Sequence, residues 1–188
     1  MDRLLIEAYD DGFFPVHCKG GRCGTFIAGV RADKIKVEKV AWTIVKVDLN
    51  KTIDAIINLS DLLNGDIIIL DGITYAGFDV VDPVKLSRST SKGVIVIQQY
   101  SLNLDRIKEA LIKHFADWER RFQVINNVYR DMKYYSTPWR VIKIYTVSVD
   151  KETVDKVLKS TLIYSPIPEP LRIADKIASS LSQLLYRY

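Results

Sequence analysis

Apolar and polar residues alternate with period two along RLLIEAY, which predicts a strand over residues 3–9. The same alternation returns in RCGTFIAGVRAD, after Gly20-Gly21, and in KIKVEKVAWTIVKVD, where Ile35, Val37, Val45 and Val47 carry it. Short connections make these three strands an antiparallel meander. The period then lengthens. In NKTIDAIINLSDLLNG, Ile53, Ile56, Ile57, Leu59, Leu62 and Leu63 recur at three and four, so a helix is expected, with Asn50 as cap and Gly65 as stop. DIIIL and GVIVIQQ are continuous apolar runs, suited to central strands covered on both faces. The stripe Ile107, Leu111, Phe115, Trp118, Phe122, Ile125 predicts one helix from Asn103 to Val128, the longest in the chain. WRVIKIYTVSVD reads as a further strand. A helical pattern over Val154–Leu158, a break at SPIPEP and a closing helix follow.

Composition adds little to that picture. The 188 residues are 48% hydrophobic and 27% charged, the balance of an ordinary globular chain, with no repeat or low-complexity tract. No apolar run approaches the roughly 20 residues needed to span a bilayer, and MDRLLIEAYDD is unlike a secretory signal. The expectation is a soluble, cytoplasmic α/β protein with no membrane or protein partner. A net charge of +4 permits a phosphate-backbone partner without requiring one. In VHCKGGRC, the preferred reading is a tight Gly20-Gly21 turn flanked by two small thiols, Cys18 and Cys23. A disulfide across the turn ranks second; zinc, which would need His17 and a distant ligand such as His114, ranks last.

The acids are more informative. One strand-like run ends in Asp10-Asp11-Gly12 and another in Asp71-Gly72, followed by Asp79 and Asp82. Asp-Gly is a strong turn signal, so each pair alone reads as a turn. The element order resembles the ribonuclease H-like fold: three antiparallel strands, then parallel strands joined by helical crossovers, in a mixed sheet with helices on both faces. That resemblance implies that the first and fourth strands run side by side. Asp10 and Asp71 would then end neighbouring strands, about 4.8 Å apart, where they can share a cation.

YDDGFF, ILDGITYAGFDVVD, KHFADWERR and PIPEPLRIADKIAS together resemble the archaeal endonuclease dU family, relatives of endonuclease V. The resemblance implies one ribonuclease H-like domain over residues 1–188 and a Mg²⁺- or Mn²⁺-dependent endonuclease. It would nick DNA at or near deaminated bases, deoxyuridine foremost. A nucleic-acid-binding module without catalysis and an RNA-directed nuclease are the alternatives. Asp10 and Asp71 match the family's first- and fourth-strand metal ligands. Asp48 stands nearest the third ligand, a glutamate in endonuclease V, and Asp150 nearest the fourth. Asp11 faces away from Asp10 by strand alternation, to bond the turn or hold a second metal.

The resemblance places Asp79 and Asp82 beside the site; their local reading is helix-terminal acids, Asp82 capping before Pro83. Arg172 either clamps phosphate or ties to Glu169. Lys113 is a candidate backbone contact. Tyr9 and Phe13 either stack on a damaged base or pack. Phe115 and Trp118 are expected in the core, and His114 on an exposed helix face.

Overall fold

The computed structural model describes residues 3–186. Its main sheet has seven strands: β1 (Leu5–Asp11), β2 (Gly24–Asp33), β3 (Lys36–Lys46), β4 (Ile67–Asp71), β7 (Gly93–Gln98), β8 (Lys133–Ser136) and β9 (Val141–Val147). A small hairpin, β5 (Thr74–Tyr75) and β6 (Asp79–Val80), stands apart from it. The sheet order is β3-β2-β1-β4-β7-β9-β8. β1 runs antiparallel to β2 and parallel to β4, β4 is parallel to β7, and β9 is antiparallel to β7. This is the mixed α/β architecture expected from the element order.

The helices are α1 (Thr52–Leu63), α2 (Pro83–Thr90), α3 (Leu104–His114), α4 (Trp118–Arg130), α5 (Lys151–Thr161) and α6 (Glu169–Tyr186). Strand alternation divides the core in two. Ile68 and Leu70 face a cluster with Leu59, Leu86, Leu111 and Ile125; Ile67 and Ile69 face another with Val157, Leu158 and Leu171. The continuous apolar run of β4 therefore serves both faces.

Three expectations need correction. The single helix from Asn103 to Val128 is two helices, because Phe115 adopts an extended conformation (φ −134°, ψ 125°). Phe115 and Trp118 still pack against the core, so the apolar stripe survives the break. The longest helix among the described residues is α6, with 18 residues. Cys18 and Cys23 form a disulfide, at an S–S distance of 1.98 Å, instead of the free thiols expected to flank the turn. His17 stands beside that pair, yet two bonded sulfurs offer no thiolate to zinc. Finally, Asn50 does not cap α1. The buried Asp79 carboxylate does so from a distance, accepting from the N–H groups of Asn50 (2.6 Å), Lys51 (2.9 Å) and Thr52 (3.2 Å). The stop falls at Asn64, in the left-handed region at φ 55°. No described helix is long and apolar enough to cross a membrane.

Candidate metal centre

β1 and β4 pair in the register Ile6↔Ile67 to Tyr9↔Leu70, so the next step sets Asp10 against Asp71. Both side chains share a face with Ile6, Ala8, Ile67 and Ile69, the face covered by α5 and α6. α6 packs across β1 and β2 and reaches β4. Its buried residues Leu171, Ala174, Ala178 and Ser182 recur at three and four, which brings Asp175 to the same end of the sheet. The approach is close: a Cβ on Gly12 would lie 2.5 Å from the Ala178 carbonyl oxygen and against Ser182. Gly12 is therefore fixed by this packing as well as by the turn. Gly72, at φ +69°, supplies the left-handed residue that turns the chain after Asp71.

The electrostatics of this corner are adverse. Burial, with Asp11 and Asp71 adding charge, pushes Asp10 up to about 8. Asp71 is raised by burial and by Asp175, against a hydrogen bond from Gln99 Nε2 at 3.3 Å. Burial also raises Asp11 to about 6. Among the described residues, no salt bridge reaches Asp10, Asp11 or Asp71. Asp175 is half-exposed, with Lys176 at 2.9 Å and a hydrogen bond from Ser179 at 3.1 Å. Arg140 offsets part of the charge on Asp71, and among the described residues no three acids bring their oxygens within 4.8 Å of one another. The neighbouring hard oxygen donors of Asp10 and Asp71 nonetheless suit a divalent ion. Asp11 is turned to the other face, where it accepts from the Ala76 N–H at 2.8 Å, while its own N–H donates to Asp10 at 2.8 Å.

The remaining candidates are placed elsewhere. Asp48 has both oxygens engaged, by the N–H groups of Gly20 (3.0 Å) and Phe78 (2.9 Å). It is a loop tie on the Asp11 side. Asp150 follows β9, whose antiparallel pairing with β7 sets Val147 beside Val94. That is the end of the sheet opposite Asp71, where Asp150 caps α5 through the Thr153 N–H at 2.9 Å. Asp82 caps α2 through the Val84 N–H at 2.8 Å. Glu169 and Arg172 form an ion pair at the start of α6. Tyr9 is fully buried, with its hydroxyl donating to Glu7 at 2.7 Å and its ring over Gly29, and so cannot reach a base. Phe13 is 58% exposed and meets Tyr186 edge to face, at 6.4 Å between ring centroids. Lys113 and His114 are exposed at the end of α3.

The endonuclease dU family model matches residues 3–182 of this sequence. The chain belongs to the endonuclease dU family. A UPF0215 protein of Pyrococcus furiosus is 35% identical over 182 residues, covering 95% of this chain and 92% of the relative. One from Sulfurisphaera tokodaii is 32% identical and covers 97% of each. Among solved structures, an Archaeoglobus fulgidus protein of unknown function shares 22% identity over 95% of this chain and 98% of its own, with a TM-score of 0.79. Ciona intestinalis endonuclease V, solved with an inosine-containing DNA, gives a TM-score of 0.64 at 13% identity, covering 97% and 87%. At such identities the likeness establishes the ribonuclease H-like fold of this endonuclease dU member.

Sequence reasoning missed three residues at this corner. Asp175 lies in the quoted PEPLRIADKIAS segment, and helical spacing sets it beside the buried Ala174. Gln99 and Arg140 carry no signal of their own; only the register of β7 and β9 brings them to Asp71.

Proposed function

We propose that this endonuclease dU member is a metal-dependent endonuclease that nicks a nucleic-acid strand, DNA before RNA, at or near a deaminated base. The observation that carries the reading is that β1 and β4 end side by side with Asp10 and Asp71 on one face, Asp175 close enough to raise both, and among the described residues no salt bridge to either. Deoxyuridine is the lesion suggested by the family's description. The solved complex of the Ciona endonuclease V with inosine-containing DNA supports the substrate class.

Asp10 and Asp71 would hold Mg²⁺ or Mn²⁺, with Asp175, whose charge acts on both, beside them at the same end of the sheet. A divalent ion bound there supplies an activated water and charge neutralisation for phosphodiester hydrolysis. Gln99 fixes the Asp71 oxygen through its amide N–H, and Arg140 fixes Gln99 in turn. Asp11 sits behind Asp10, anchoring the strand end to the loop at Ala76. Glu169 and Arg172 set the start of α6 and so the height of Asp175 over the sheet.

The test is a nicking assay on labelled duplexes bearing one deoxyuridine, one deoxyinosine or only normal bases, with Mg²⁺, Mn²⁺ or chelator. Lesion-dependent nicks that disappear with chelator are expected. Cutting undiminished by chelator would refute the metal centre, and binding never followed by a cut would leave a nucleic-acid-binding module.

A further inference from the structure

A chain of contacts leads away from the acids along the β9 end of the sheet. Gln99 donates to Asp71, and Arg140 donates to Gln99. The Arg140 guanidinium lies 4.6 Å from the centre of the Tyr100 ring, and its buried Nε has no partner among the described residues. The Tyr129 hydroxyl donates to the Tyr100 carbonyl at 3.0 Å. Lys143 then sits 5.6 Å from the ring centres of both Tyr129 and Tyr134. Aromatic and cationic groups thus run from Asp71, on the α5/α6 face, around the strand ends to Tyr129, Tyr134 and Lys143 on the opposite face of the sheet.

This strip is unusual for the molecule. Residues 129–143, YRDMKYYSTPWRVIK, hold four basic residues against one acid, Asp131, whose partner is Arg130. The rings are also open. Tyr134 is 77% exposed, Tyr100 66% and Trp139 44%. Tyr134 and Trp139 belong to the β8–β9 hairpin at the sheet edge and Tyr100 follows β7; such large exposed rings among cations have no packing explanation. A phosphate backbone complements the cations, and unstacked bases complement the rings. Duplex bases stack on one another and present no face to a tyrosine, so the matching ligand is single-stranded.

We infer that Tyr100, Tyr129, Tyr134, Trp139, Arg140 and Lys143 form a track for a single-stranded nucleic-acid segment leaving the acid cluster. Arg140 stands at the junction, where the strand passes from the acids to the rings. The inference rests on the nuclease reading for its direction, but the track binds independently of any cut.

The test is fluorescence anisotropy with a labelled oligothymidylate in chelator, where no cleavage intervenes. Wild type is compared with Tyr134→Ala, Lys143→Ala and, as control, Lys34→Ala. Lys34 is exposed in the turn at the opposite end of β1 and β2. Tyr134→Ala is expected to weaken binding about fivefold or more, the loss of one base–aromatic stack. Lys143→Ala should lower the slope of log Kd against log salt by about 0.7, one phosphate contact to a single strand. Lys34→Ala should change neither. No binding by wild type, equal binding by the track variants, or an equal loss in the Lys34 control would each overturn the track. Because the assay omits metal, failure of the nicking reaction leaves this result intact, and a protein that nicks while its track variants bind normally refutes the track alone.

Discussion

Of the three carboxylates on strand β1, Glu7 and Asp10 stand three residues apart, and the fold treats these two in opposite ways. Glu7 is fully buried on the α1 side and every lone-pair direction is used. Tyr9 and Ser60 hydroxyls donate to one oxygen at 2.7 Å each, while Lys92, at 2.7 Å, and the Gly65 N–H engage the other. Asp10 points to the α6 side, receives one backbone N–H and faces further acids. A buried carboxylate that is paired and hydrogen-bonded belongs to the scaffold; one left among like charges is tolerable only if something arrives to neutralise it. On the proposed metal-centre reading, the contrast puts stability on one face of β1 and chemistry on the other.

The hardest test of that division is Asp71→Asn, which keeps the shape and removes a charge. Nicking should fall on the order of 10²–10³-fold, the scale for losing one group that stabilises transition-state charge. The metal-free protein should melt no lower than wild type, because repulsion with Asp10 and Asp175 is relieved. Wild-type nicking by this variant would end the metal-centre reading.

The opposite substitution belongs on the other face. Lys92→Met leaves Glu7 buried without its cation, and breaking such a pair costs about 3–5 kcal/mol. For a chain of this size that is a fall in Tm of roughly 6–20 °C, read by thermal melting. On the metal-centre reading, the residual folded protein should bind Mn²⁺ as wild type does. If it loses metal binding as well, the two faces are not independent.

How much of this division is legible before folding depends on distance along the chain. Asp10 and Asp71 can be found because each closes an apolar strand run, and strand order then fixes their adjacency. Asp175 cannot, since helical spacing tells which side of α6 is buried but not which strand ends lie beneath it. Asp48 and Asp150 are misplaced for a related reason. A loop acid has no periodicity to orient it, and each is consumed locally by backbone N–H groups. The break at Phe115 escapes notice because the apolar stripe crosses it unbroken. Glu7 looks like an ordinary outward residue of an alternating strand until Lys92, from the far side of β4, is seen beside it.

A gentler probe is pH. The folded value of Asp10, about 8, lies above its ordinary 3.8. Between those values the folded chain holds a proton that the unfolded chain releases, so metal-free stability falls as pH rises. In chelator, Tm should be lower at pH 8 than at pH 5 by on the order of 5 °C, and Asp10→Asn should flatten that slope. Mn²⁺ should restore stability chiefly at the higher pH, where the carboxylates are free to bind it. A flat wild-type profile would show that Asp10 is not held among uncompensated charges.

Asp11 offers the finest discrimination, because it belongs to neither class. It lies on the Glu7 face by alternation, is raised to about 6 by burial, and accepts one firm backbone bond from Ala76. Asparagine retains a carbonyl oxygen for that bond while removing the charge. If Asp11 only anchors the strand end, Asp11→Asn should lower nicking by about tenfold or less, the scale of an outer-shell change, and leave metal affinity nearly unchanged. A loss matching that of Asp71→Asn, with weakened metal binding, would show its carboxylate reaching round the strand end to the ion. The boundary between scaffold and chemistry would then run between Tyr9 and Asp10 along the strand, and no longer between the two faces of the sheet.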